Sequence, residues 1–180
     1  MSELIRAFVA VSLPDEVSGR LEEYINTLRP LFRVRWVRRE QMHITLKFLG
    51  ELEPEVIDDV KEALTPLKHF EPFRIELDTL GAFPNFRNAN VLWLSGSKGA
   101  KELGLLSRKV NNVLLDGAGL EPDAKKFRAH LTIARLKGET VSEKIINGLG
   151  TLPLLNWVCS ELVLMRSVLT PQGPIYSQIL

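Results

Sequence analysis

The sequence predicts an α+β protein: bilobal, with two pseudo-symmetric lobes, each an antiparallel sheet with helices, around a central cleft. Three observations carry this. A tetrapeptide of the form His-apolar-Thr-apolar occurs twice, as His43-Ile44-Thr45-Leu46 and His130-Leu131-Thr132-Ile133, nearly half a chain length apart. Strand-like and helix-like patterns are interspersed along the whole chain rather than segregated. Each tetrapeptide is followed shortly by glycine (Gly50, Gly138) and then by a helical pattern. No linker separates the halves, so residues 1–180 read as one domain made of two duplicated lobes, a length that supports a sizeable core.

The elements follow in order. Ile5 to Leu13 is short, apolar and rich in β-branched residues, a buried strand. Pro14 suits a helix start, and Val17, Leu21, Tyr24, Ile25 and Leu28 recur at helical spacing, predicting a helix over 15–29. Arg33 to Arg39 is the most basic segment and reads as a short strand. In Gln41 to Gly50 the alternation puts Met42, Ile44, Leu46 and Phe48 on a core face and Gln41, His43, Thr45 and Lys47 on a polar one. Glu53-Pro54-Glu55 opens a second helix. Phe73 to Leu80 alternates as a strand, Gly81 to Asn88 is turn-rich, and Val91 to Leu94 is another strand. A third helix runs from about Lys101 to Leu115 and ends at Asp116-Gly117-Ala118-Gly119. The second motif lies in Phe127 to Leu136, with Arg128, His130 and Thr132 on one face. Arg135 falls on the apolar parity, which places it at a strand end or buried with a partner. Thr140 to Glu143 has the form of a capping box for a short fourth helix. Trp157 to Leu169 is one long strand-like run, and a Pro/Gly turn leads to a last strand over Ile175 to Leu180.

Composition narrows the function. The net charge of +1 gives no global field for a polyanion, so any basic surface is local. The single cysteine, Cys159, excludes an internal disulfide and a cysteine-based zinc site, and its apolar setting makes it a core residue. No apolar run is long enough to span a membrane, and the N-terminus lacks a signal-peptide pattern, so the expected compartment is the cytoplasm.

Two histidines facing one cleft allow proton transfer in both directions near neutral pH. A threonine hydroxyl two residues along the same strand face is placed to hydrogen-bond a substrate oxygen. A matched pair of such sites suits a phosphodiester, which has one attacking group, one leaving group and two non-bridging oxygens. Neither motif carries Asp or Glu on its His/Thr face, so no metal ligand set is expected. His69, after the second helix, reads as structural.

The paired motifs, set in MHITLKFLG and FRAHLTIAR, resemble the two-histidine phosphoesterase superfamily. More closely, the chain is similar to the RNA 2′,3′-cyclic phosphodiesterases, also named 2′-5′ RNA ligases. The likeness extends over RAFVAV, RWVRREQMHITLKFLG, LGAFPNFRNANVLW and SVLTPQGPIYSQI. One departure is Ala129, where many relatives have proline. The resemblance implies hydrolysis of a terminal RNA 2′,3′-cyclic phosphate to a 2′-phosphate without a metal or other cofactor. It implies His43 as general acid, His130 as general base, and Thr45 and Thr132 as phosphate-binding residues. With an RNA 5′-hydroxyl replacing water, the same site would form a 2′-5′ linkage. The implied partner is RNA with a cyclic phosphate end, tRNA fragments included, acted on by a monomer.

Residues for RNA contact are Arg128, on the His130 face, together with Arg38, Trp36 and Tyr176; Trp36 and Phe48 are the two aromatic choices for stacking a base. Trp36 has the alternative of a core position. Two other functions stay open: a small-molecule cyclic phosphodiesterase, and a non-catalytic RNA-binding module.

Overall fold

In a computed structural model, which describes residues 3–30, 34–139, 141, 147–148 and 150–180, the chain is a two-lobed α+β protein. It begins with β1 (Ile5–Ser12), whose interior residues are almost all buried. Helix α1 (Asp15–Leu28) follows, with Asp15 and Glu16 at the positive end of its dipole. It buries Val17, Leu21, Tyr24, Ile25 and Leu28, as the spacing predicts. Among its described residues the basic segment forms a two-residue strand, β2 (Arg35–Trp36), and then a 3₁₀ turn over Arg39–Gln41. The first motif opens β3 (His43–Leu52), and α2 (Pro54–Leu64) starts on its proline.

The alternating run expected over Phe73 to Leu80 is divided between β4 (His69–Leu77) and β5 (Thr79–Phe83). At the break, the Asp78 amide donates to the Ser95 carbonyl and the Glu76 amide to the Lys98 carbonyl, so the two strands enter different sheets. Gly81 to Phe83, expected in a turn, is therefore strand. After β6 (Ala89–Ser95), α3 (Ala100–Ala118) runs longer than expected at both ends and stops at Gly119, whose φ of 64° is the left-handed conformation favoured at a helix C-terminus. The second motif leads into β7 (Leu131–Glu139). The long run expected from Trp157 to Leu169 is two strands, β8 (Leu155–Glu161) and β9 (Val163–Thr170), broken at the fully buried Leu162. The last strand is β10 (Gly173–Gln178). The capping-box helix expected after Thr140 lies outside the described residues.

The large sheet has the order β10-β9-β1-β3-β7-β6-β5, with β2 paired to β7 on the flank opposite β6. One lobe contains β10, β9, β1 and β3; the other contains β2, β7, β6 and β5. The C-terminal strands thus return to complete the N-terminal lobe. The motif strands β3 and β7 are registered through a single pair, Ile44–Leu131. Both residues are wholly buried, and each directly follows a motif histidine. A separate two-stranded sheet pairs β4 with β8. Helices α2 and α3 pack together at Ala63 and Gly117. Cys159 is buried in the core, and burial pushes its thiol up to about 11. His69 begins β4, with its ring Nδ1 3.9 Å from a Glu161 carboxylate oxygen.

Candidate active site

The two histidines are held in the same way. His43 Nδ1 lies 2.7 Å from the carbonyl oxygen of Gln41, and His130 Nδ1 lies 2.7 Å from that of Arg128. In both cases the acceptor belongs to the residue two positions earlier. A carbonyl only accepts, so Nδ1 must carry the proton, and the neutral ring has a bare lone pair on Nε2. In the first motif the Thr45 hydroxyl donates to His43 Nε2 over 3.1 Å. Among the described residues, His130 Nε2 has no such partner.

Each ring is also framed by two aromatic groups. Phe8 stacks on His43 with centroids 4.6 Å apart, and Tyr176 meets it edge-on at 5.3 Å. Phe83 meets His130 edge-on at 5.0 Å, with Trp93 at 6.5 Å. Burial behind these rings disfavours the imidazolium. It pushes His43 down to about 4, opposed by the Gln41 carbonyl and assisted by the charges of Arg135 and His130. Burial lowers His130 as well, opposed by the Arg128 carbonyl and assisted by Arg128 and Arg135.

Strict alternation fails directly after each motif, at the same place in both. In the β1–β3 ladder Ala10 faces Thr45 and Val9 faces Lys47, leaving Leu46 unpaired. In the β6–β7 ladder Trp93 faces Thr132 and Leu92 faces Ala134, leaving Ile133 unpaired. Each is a β-bulge at the fourth residue of the tetrapeptide, and beyond it the faces exchange. Phe48, expected in the core, is 64% exposed and lines the cleft, whereas Lys47, expected on the polar face, is only 3% exposed. Arg135 likewise turns into the cleft rather than ending or burying itself in the strand. Neither bulge contains glycine, so composition gave no warning of it.

The cleft is a cavity of about 690 Å³, and both histidines and both threonines line it together with Phe8, Phe48, Arg135 and Tyr176. Arg38 lines it and is exposed. Trp36 borders it but belongs to the core, only 7% exposed, so its ring is packing material first. Arg128 does not line the cavity; its guanidinium carbon lies 5.2 Å from the centre of the Phe83 ring, and its carbonyl is the group that reaches His130. Sequence reasoning missed Phe8, Phe83 and Trp93, whose contacts with the histidines depend on long-range strand pairing. No group of three His, Cys, Asp or Glu side chains that could hold a metal ion occurs among the described residues. No described helix is long and apolar enough to cross a membrane.

The model of the family described as LigT like Phosphoesterase matches residues 11–93 and 98–176. The chain belongs to this family. The LigT-like match spans both motifs and strands β3 and β7 that carry them. A curated relative from Archaeoglobus fulgidus, named RNA 2′,3′-cyclic phosphodiesterase, is 34% identical, and the alignment covers 97% of this chain and 98% of the relative. One of the same name from Aeropyrum pernix is 36% identical over 81% of this chain and 84% of its own. Among solved structures, E. coli LigT complexed with 3′-AMP superposes with a TM-score of 0.80 at 22% identity, covering 99% of this chain and 97% of that one. A protein of Thermus thermophilus gives a TM-score of 0.77 at 30% identity, covering 97% of this chain and 95% of that one. The LigT-like fold accounts for the two lobes and the cleft between them.

Proposed function

We propose that this protein hydrolyses the 2′,3′-cyclic phosphate at the end of an RNA chain, leaving a 2′-phosphate, by proton transfer between the two motif histidines. The observation that carries the reading is the matched tautomer. Each Nδ1 is committed to a backbone carbonyl, so each Nε2 is the atom left to exchange a proton in the cleft. The name shared by the curated relatives supports the choice of bond and substrate.

Water attacks phosphorus and gives its proton to His130 Nε2. The phosphorus–O3′ bond breaks, and O3′ takes a proton from His43 Nε2. The product carries a 2′-phosphate and a 3′-hydroxyl. The acid and base roles follow the resemblance of the motifs. The Thr132 hydroxyl holds one non-bridging oxygen; the Thr45 hydroxyl is freed for the other once His43 Nε2 is protonated and no longer accepts from it, and such donors stabilise developing negative charge. Burial keeps His43 neutral in the free cleft, so the acid is charged only when an anion is present to offset that burial and the nearby Arg135 charge. The substrate phosphate supplies that anion. The chemistry asks for no metal, because each histidine supplies or takes the proton itself.

With an RNA 5′-hydroxyl in place of the attacking water, and O3′ again the leaving group, the same groups join a 2′-5′ linkage. We read the chain as one domain of two duplicated lobes acting as a monomer in the cytoplasm, with the repeated carbonyl lock and the repeated bulge as support for the duplication. Tyr176, against the His43 ring, and Arg38, on the rim, serve the RNA end; Phe48 is the better platform for a base than the buried Trp36, and Arg128 positions His130.

The test is incubation with an oligonucleotide ending in a 2′,3′-cyclic phosphate, followed by identification of the product as 2′- or 3′-phosphate. Changing either histidine to alanine is expected to cut turnover by about a hundred- to ten-thousand-fold. Hydrolysis surviving the double change, or a 3′-phosphate product, would refute the assignment.

A further inference from the structure

Arg35 and Arg135 are direct partners in the β2–β7 register. Residues opposed in an antiparallel pair point to the same face, and like charges so placed repel. Both arginines line the cavity, which is also lined by Arg6, Arg29 and Arg38 and, among the described residues, by no aspartate or glutamate. This chain has nearly equal numbers of basic and acidic residues, and elsewhere it pairs them: Arg39 with Asp15, Lys47 with Asp123, Lys61 with Asp58, Lys98 with Glu76. Among the described residues, none of the five cavity arginines has a carboxylate within salt-bridge distance. Arg6 faces Glu51 in the β1–β3 register; the other four guanidinium groups still exceed what one singly charged cyclic phosphate requires.

The five are not equivalent. Arg135 follows the second motif, and its charge bears on both histidines. Arg35 reaches the other way, across the cleft toward the β9–β10 turn. Its Nη2 lies 3.6 Å from the point where a side chain on Gly173 would begin. Gly173 has a φ of 120°, which glycine alone adopts readily, and its bare backbone leaves this approach open. Arg38 follows β2 and is exposed, as is Arg6 on β1.

We propose that Arg35, Arg38 and Arg6 form a second anion subsite beside the histidine pair, which takes the phosphodiester on the 5′ side of the terminal nucleotide. The subsite distinguishes the end of an RNA chain from a free cyclic mononucleotide. This rests on the reading of the substrate as an RNA end, and it adds where the preceding link of the chain is held. The repulsion between Arg35 and Arg135 is relieved when a phosphate lies on each side of their boundary.

The test compares three ligands: adenosine 2′,3′-cyclic phosphate, an ApA dinucleotide with the same cyclic end, and that dinucleotide with a neutral methylphosphonate linkage. The neutral compound keeps both bases and removes one charge. Expected is a kcat/KM about tenfold or more higher for the charged dinucleotide than for the neutral one. Arg35→Gln should remove that ratio and reduce the slope of log affinity against log salt by about 0.7. Arg38→Gln provides the same comparison should Arg35→Gln fail to fold. Binding of the three compounds is measured in parallel by tryptophan fluorescence. If none is hydrolysed but the charged dinucleotide binds more tightly in an Arg35-dependent way, the reaction assigned above is wrong and the subsite stands. If charged and neutral dinucleotides bind and react equally, or if Arg35→Gln weakens both alike, the subsite is overturned.

Discussion

Leu46 and Ile133 occupy the same place in their strands, each the unpaired residue that closes its tetrapeptide and reverses the faces beyond it. The reversal makes the residue two further on a cleft residue in each lobe: Phe48 in one, Arg135 in the other. The histidines and threonines are repeated; these two positions are not. At this one pair of equivalent positions the cleft is aromatic in one lobe and cationic in the other, which gives a near-symmetric site a direction.

Phe48→Ala should weaken substrate binding by about 1–3 kcal/mol, the range found for one base stacked on an aromatic ring. The ring is 64% exposed, so the thermal midpoint should hardly change. Steady-state kinetics and a melting curve on the same preparation check both statements. A large fall in melting temperature with unaltered KM would return Phe48 to a structural role.

Lys47 lies on the opposite face of the same bulge. Its ammonium donates to Asn111 Oδ1 and to the Glu121 carbonyl, both at 2.8 Å, and lies 3.4 Å from Asp123. Beside it, the Ser107 hydroxyl donates to the carbonyl of Leu46 itself over 3.0 Å. Helix α3 thus secures the bulge from behind. Lys47→Met strands these acceptors and should destabilise the fold by about 1–3 kcal/mol. Urea unfolding gives the value.

Arg135 bears on the pH profile. Its positive charge disfavours the imidazolium of both histidines, so Arg135→Gln should raise both. The bell-shaped profile of kcat/KM should then move to higher pH, alongside any loss of affinity. A profile that falls in height without moving would contradict the electrostatic account.

Stability should depend on the same group. His43 is pushed down to about 4 in the folded chain and titrates near ~6.5 unfolded. Below the unfolded value the unfolded chain takes up the proton first, so His43 costs stability as pH falls from about 6.5 toward about 4 and contributes no such loss above that window. Urea midpoints across this range should fall less steeply in His43→Gln than in the parent.

Gly81→Ala probes the wall behind His130. A Cβ on Gly81 would collide with the Trp93 ring, which crosses that position on β5. Overpacking of this kind costs about 1–3 kcal/mol. Trp93 must move, and with it a neighbour of both Phe83 and His130. Altered tryptophan fluorescence together with reduced turnover is the expected pair of results.

That His43, Thr45, His130 and Thr132 face one cleft was legible in the sequence because each motif alternates faithfully from His to Thr, and because the motif occurs twice. Legibility stopped at Leu46 and Ile133. A bulge without glycine looks like any apolar strand residue, so the positions of Lys47, Phe48 and Arg135 were recoverable only from the pairing. The breaks at Asp78 and Leu162 were hidden for a related reason. Local pattern identifies extended chain but not the sheet that receives it, and the return of β9 and β10 to the first lobe is a long-range choice. The aromatic frames behind the histidines depend on the same non-local contacts.

The single Ile44–Leu131 pairing has a mechanical consequence. Each histidine sits one residue from it, so the two imidazoles are carried by the very residues that join the motif strands. At the rim the Gln41 side-chain amide donates to the Pro174 carbonyl over 2.7 Å, which ties the β2–β3 connection to the β9–β10 turn. The mouth is thus braced at its edge as well as at its root.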